Sequence, residues 1–166
     1  MYYNAADRGN RTNRTNRINR TKRTNEHRAA LIKFRDMGMY PTLKNKRVLF
    51  VEDDKANQYY MQLMLEEIGC SFELAYNGQE AVEKVKREPK FNIIFMDLRM
   101  PVMDGFQAAD IIRKDIDKTV LIVAVTAHAV SEVKEKCFMV GMNGFIAKGV
   151  DVGNFGKELL SWVKKS

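Results

Sequence analysis

From Lys46 to Ser166 the sequence predicts an α/β domain, a parallel five-stranded sheet with helices on both faces. Three observations predict it. Segments of strand and helix character alternate strictly, and such alternation implies parallel strands joined by crossover helices. Three of the strand segments are near-continuous apolar runs, as strands covered on both faces must be. The central run, Ile93 to Met96, stops at a carboxylate, Asp97, followed by a loop with Pro101 and then by Asp104-Gly105. In open parallel sheets ligands bind at the carboxyl ends of strands, and a charge directly after a buried run is costly without a partner. By itself, Asp97 would suit the start of a turn equally well.

Each element has its own signal. Arg47 to Val51 is an apolar strand. A helix starts at or beside Asp54 and runs to Ile68, with Tyr60, Leu63, Met64 and Ile68 inward and Gly69 ending it. Ser71 to Ala75 is the second strand. Asn77-Gly78 turns the chain into a helix from Glu80 to Arg87, with Ala81, Val82 and Val85 inside and Pro89 as terminator. The central strand, Phe91 to Met96, comes next. Phe106 to Lys114 is the third helix, burying Ile111 and Ile112, and Thr119 to Val125 the fourth strand. Ser131 to Val140 is a helix closed by Gly141, Gly144 to Ala147 a short strand, and Asn154 to Val163 the last helix. At this size the natural arrangement is a flavodoxin-like (βα)5 three-layer sandwich with strand order 2-1-3-4-5.

Composition bounds the class. An apolar content of 45% with 30% charged residues suits a soluble globular protein, and no apolar run approaches the roughly 18 residues of a membrane span. The basic N-terminus has no apolar core behind it, which argues against a secretory signal. Cys70 and Cys137 are far apart with no metal-like spacing, so they read as plain thiols of a reducing cytoplasm.

The net charge of +7 is uneven: residues 1–28 hold eight Lys or Arg against two acids. Asn-Arg-Thr recurs from Asn10 to Thr21, once with Ile18 in place of Thr. A three-residue period fits neither a helix face nor a strand face, and so little apolar surface predicts a disordered basic tail over residues 1–25. No aromatic interleaves with the arginines, which disfavours nucleic-acid binding by base stacking. Residues 26–45 form a short helix and linker, capped by Asn25 and broken by Gly38 and Pro41. Residues 46–166 are the domain.

The strand ends converge chemically. Glu52-Asp53-Asp54 follows the first strand, Asp97 the third, Thr126 the fourth and Lys148 the fifth. Clustered carboxylates suit a hard cation such as Mg²⁺, and a lysine and a hydroxyl beside them can hold the oxygens of a phosphoryl group. No glycine-rich phosphate loop precedes a helix, which argues against a nucleotide site. Taken singly, acids and threonine often cap helices and lysine is usually on the surface.

Residues 46–166 resemble a response regulator receiver domain. The resemblance rests on Val48-Leu49-Phe50-Val51-Glu52-Asp53-Asp54, on Met96-Asp97 through Met100-Pro101-Val102-Met103-Asp104-Gly105, on Val125-Thr126-Ala127 and on Phe145-Ile146-Ala147-Lys148. Asn57-Gln58 and Thr126-Ala127-His128-Ala129 make it most similar to receivers of hybrid histidine kinases and phosphorelays. The resemblance implies that Asp97 accepts a phosphoryl group from a phosphohistidine. It implies that Asp53, Asp54 and Asp97 hold Mg²⁺ with the Arg99 main-chain carbonyl, Glu52 being structural. Lys148 would pair with phosphoryl oxygens, Thr126 would be the switch hydroxyl and Phe145 the switch aromatic. Arg99 and His128 would flank the acyl phosphate and tune its lifetime. The family usually has proline after the lysine; here Gly149 stands there, and a trans Lys148–Gly149 bond is expected because cis costs about 3–4 kcal/mol without proline.

The leading expectation is therefore a cytoplasmic phosphoacceptor switch. It would work with a histidine kinase or histidine phosphotransfer protein, using the fourth and fifth helices as a face for self-association. It would catalyse its own phosphorylation and dephosphorylation, with no external metabolite. With no output domain after Ser166, it reads as a stand-alone regulator, a shuttle or a fragment of a hybrid kinase. The alternatives are a pseudo-receiver scaffold, against which the complete acceptor set speaks, and a nucleic-acid binder through the tail.

Overall fold

The computed structural model describes residues 45–87, 90–127, 130–148 and 152–166. Five strands, β1 (Arg47–Val51), β2 (Ser71–Ala75), β3 (Ile93–Asp97), β4 (Leu121–Thr126) and β5 (Gly144–Ala147), form one sheet in the order β2-β1-β3-β4-β5. All four pairings are parallel. The helices are α1 (Lys55–Ile68), α2 (Gly78–Val85), α3 (Gly105–Ile111), α4 (Ser131–Met139) and α5 (Val152–Lys165). The expected tail and the helix before the domain lie outside the described residues, as do Pro89, His128 and the Lys148–Gly149 bond.

Strand alternation sorts the core into two layers. Val48, Phe50, Ile93, Phe95, Val123, Val125 and Ile146 face one way, against Met61, Met64 and Leu65 of α1 and Leu159, Leu160 and Val163 of α5. Leu49, Val51, Ile94, Met96, Ile122 and Ala124 face the other way, against residues of α2, α3 and α4. With both faces covered, β3 is buried at every position, Asp97 included. Both cysteines are buried free thiols.

Three boundaries differ from the sequence reading, each for a local reason. The second helix begins at Gly78 because Asn77 caps it, accepting from the Glu80 N–H at 2.9 Å. The buried stripe of α1 is Met61, Met64 and Leu65, while Leu63 and Tyr60 are only partly buried. The third helix buries Ala108, Ala109 and Ile112 rather than Ile111. It ends in a π-helical turn, Ile112–Ile116, closed by the Asp117 N–H on the Ile112 carbonyl at 2.8 Å.

Capping fixes the segments around the carboxyl rim of the sheet. Asp54 caps α1, accepting from the N–H groups of Ala56 and Asn57 at 2.9 Å each. Asp104 and Gln107 form a reciprocal capping box on α3. The Gly105 N–H donates to the Leu98 carbonyl at 3.1 Å, and a Cβ at Gly105 would overlap the Asp97 carbonyl. Only glycine lets α3 start this close to the end of β3.

Candidate functional site: an acidic cluster at the carboxyl rim

Strand register brings the site together. Val51 pairs with Met96, Asp97 with Val125 and Thr126 with Ala147. One step further along each pairing places Glu52 beside Asp97 and Lys148 beyond Thr126. The Lys148 N–H also donates to the Thr126 carbonyl at 2.6 Å, which ties the two strand ends. Thr126 is 4% exposed and Asp97 7%.

Lys148 is the electrostatic hub. Its Nζ lies 2.5 Å from Asp97 Oδ2 and 2.7 Å from Glu52 Oε2. Burial alone would lower the Lys148 pKa, but the hydrogen bond to Asp97 and the charges of Asp97 and Glu52 outweigh it, and the pKa is raised. Burial raises the Glu52 pKa, against the opposing pull of Asn57 and Lys148. The Arg99 N–H reaches Asp97 Oδ1 at 3.3 Å.

Among the described residues, Glu52, Asp53 and Asp97 form a group whose carboxylate oxygens lie within 4.8 Å of one another. Glu52, read from the sequence as structural, belongs to this group and is 1% exposed. Asp54, expected as the second acid of the pair, is not in it. The helix start explains why: the Asp54 side chain is exposed and turned back onto the N–H groups of α1. Phe145 is half-buried, with Lys134 Nζ 4.4 Å from its ring centroid. Asp53, Asp97, Thr126 and Lys148 thus share one rim, Phe145 stands on the strand leading to Lys148, and His128 lies outside the described residues.

Sequence reasoning gave no role to Asn57 and Gln58. Asn57 Nδ2 donates to Glu52 Oε1 at 2.8 Å. The buried Gln58 donates Nε2 to the carbonyls of Glu52 and Ala75, at 2.5 and 3.3 Å. Their position in the first turn of α1, directly over the end of β1, was the available signal.

Residues 48–159 match the family model of the response regulator receiver domain. The chain belongs to this family. Its receiver is similar to part of the osmosensing histidine protein kinase SLN1 of Saccharomyces cerevisiae, at 41% identity over 63% of this chain and 9% of that protein. It is also similar to hybrid signal transduction histidine kinase B of Dictyostelium discoideum, at 36% identity over 74% of this chain and 7% of that one. The chain therefore spans less than a tenth of either relative. Among solved structures, the receiver resembles that of the Pseudomonas aeruginosa sensor histidine kinase PA1611, crystallised with magnesium in its active-site cleft. The TM-score is 0.64 and the identity 33%, covering 72% of this chain and 98% of that one. It likewise resembles the receiver of the S. cerevisiae response regulator Ssk1, co-crystallised with the histidine phosphotransfer protein Ypd1. There the TM-score is 0.64 and the identity 35%, covering 72% and 89%. These relatives place the receiver in two-component and phosphorelay signalling. No helix among the described residues is long and apolar enough to cross a membrane.

Proposed function

We propose that this receiver is a phosphoacceptor switch of a cytoplasmic phosphorelay, and that Asp97 takes the phosphoryl group from a phosphohistidine. The donor would be a histidine kinase or a histidine phosphotransfer protein of the kind seen with the Ssk1 receiver. The observation that carries this reading is Asp97 at the end of β3, within 4.8 Å of two further carboxylates and 2.5 Å from Lys148 Nζ. In the transfer, the phosphorus–nitrogen bond to the donor imidazole breaks and a phosphorus–oxygen bond to the Asp97 carboxylate forms, leaving an acyl phosphate and a histidine that takes up a proton.

The donor set fits a hard divalent cation. All its side-chain donors are carboxylate oxygens. Glu52 Oε2, though buried, has a charge partner in Lys148 but no aligned hydrogen-bond donor, so it is open to a further positive ligand. We assign the holding of Mg²⁺ to Glu52, Asp53 and Asp97 with the Arg99 carbonyl, and leave Asp54 as the cap of α1. When bound, the cation supplies positive charge to the phosphoryl oxygens. Lys148, already at the Asp97 carboxylate, supplies a second positive charge from the end of β5. Thr126, buried at the end of β4 and paired with Ala147 beside Lys148, supplies the switch hydroxyl at this rim, and Phe145 on β5 follows its movement.

Asp97→Asn should abolish Mg²⁺-dependent phosphorylation by acetyl phosphate or a phosphorylated phosphotransfer protein, with the circular dichroism spectrum unchanged. Intact-mass spectrometry showing undiminished phosphorylation in the variant would refute the acceptor assignment.

A further inference from the structure

We infer that Asn57 is a positioning residue for divalent-cation binding, acting through Glu52. The inference rests on the reading of Glu52, Asp53 and Asp97 as the cation site. Glu52 is the only one of the three whose carboxylate is held by a helix. Oε1 accepts from Asn57 Nδ2 at 2.8 Å, while Oε2 faces Lys148 at 2.7 Å and lacks an aligned donor. A carboxylate fixed by one oxygen cannot rotate freely about its last torsion. The Asn57 amide therefore keeps the other oxygen turned toward Asp97 and Lys148.

Helix chemistry gives asparagine no other reason to be there. Asn57 is the third residue of α1 after the Asp54 cap. A glutamate or glutamine at that place would reach back to the N–H of the cap residue in a capping box. Asn57 instead reaches past the cap to the residue two before it. Asparagine is also a poorer helix former than alanine, and Asn57 is exposed, so it contributes nothing to the core. Its neighbour divides the labour. Gln58, 4% exposed, donates only to backbone carbonyls and so anchors α1 to the ends of β1 and β2 without touching a carboxylate.

The test is a double-mutant cycle read by calorimetric titration of Mg²⁺ into the whole chain. Loss of a partner that orients a metal ligand typically weakens metal binding by about 10–100-fold. For an exposed donor the lower figure is expected, so Asn57→Ala should weaken Mg²⁺ binding about tenfold with thermal stability unchanged or slightly raised. In a Glu52→Gln background the same substitution should change affinity by less than about twofold, because a path through Glu52 has already been removed. Equal Mg²⁺ affinity of Asn57→Ala and wild type would overturn the inference while leaving the cation site standing. A full tenfold loss that persists in the Glu52→Gln background would overturn it too, since Asn57 would then act by another route. No Mg²⁺ binding by the wild type would overturn the cation-site reading, and this inference with it.

Discussion

Two polar clusters lie at opposite rims of the same sheet, and they are built on opposite plans. At the amino rim, Arg113 of the π-helical turn donates to the carbonyls of Gly141, Asp117 and Val120 and to Asn143 Oδ1, at 2.8–3.2 Å. Asn143 Oδ1 also accepts from the Ile122 N–H at 2.9 Å. Asp117 accepts from the N–H and hydroxyl of Thr119 and from the Val120 N–H. Burial pushes the Asp117 pKa up, but these donors outweigh it and the pKa is lowered. At the carboxyl rim three carboxylates cluster, only Glu52 and Asp97 pair with Lys148, and a buried oxygen of Glu52 lacks an aligned donor. The Arg113 cluster is satisfied by its own loops; on the proposed reading, the carboxyl-rim cluster is left short of positive charge for a cation. Such deficits are where stability is given up for function.

The sharpest way to break this contrast is at Arg113. Arg113→Ala leaves four acceptors without their donor, and water can replace it only in part. The chain should lose about 2–3 kcal/mol of unfolding free energy, measured by urea denaturation, while phosphorylation per folded molecule stays within about twofold. A large loss of phosphorylation in still-folded protein would mean that the two rims are coupled.

The converse experiment removes charge from the deficient rim. Asp53 is exposed and carries none of the hydrogen bonds described. Asp53→Asn should raise stability by about 1 kcal/mol at low ionic strength, through relief of like-charge repulsion at roughly 5 Å, while lowering Mg²⁺ affinity more than about tenfold. A loss of stability would show that Asp53 serves the fold after all.

A smaller effect calibrates both. Glu73 on β2 pairs with Lys84 at 2.7 Å and with Arg47. The Lys84 hydrogen bond, with help from Arg47, lowers its pKa. A lowered carboxylate pKa contributes stability that is present above the unfolded value of about 4.3 and is lost as pH falls through the folded value. Glu73→Gln should cost only about 0.5 kcal/mol at pH 7, and the difference from wild type should close in the acid range below pH 4. A difference that persists to acid pH would assign the effect to packing instead.

How much of this was legible depends on the range of the interaction. Doubly covered strands such as Ile93 to Met96 announce themselves, because every position must be apolar, and the strand order followed from alternation and size. The buried face of α1 was harder. Tyr60, Met61, Leu63, Met64 and Leu65 are all apolar, so periodicity alone does not choose the phase; contact with β1 and β3 does. At the site, Asp97, Thr126 and Lys148 were legible as strand-end residues. Glu52 was read as structural and Asp54 as a ligand, because choosing among three consecutive acids needs the register with β3 and the knowledge that Asp54 caps a helix. Arg113 left no local signal at all: a charged residue in an amphipathic helix reads as surface until the carbonyls of distant loops close around it.

The strand order also has a consequence in time. Asp97 and its lysine are 51 residues apart, and Lys148 arrives only when β5 takes its place at the edge of the sheet. During synthesis at 5–20 residues per second, roughly 3–10 s separate the emergence of the two. Until then a nascent chain holds the carboxylates but not the ammonium that completes them. On the proposed reading, competence to take up phosphate would therefore be a late event in the making of the molecule. A chain phosphorylated at Asp97 would, by that fact, report that β5 is in place.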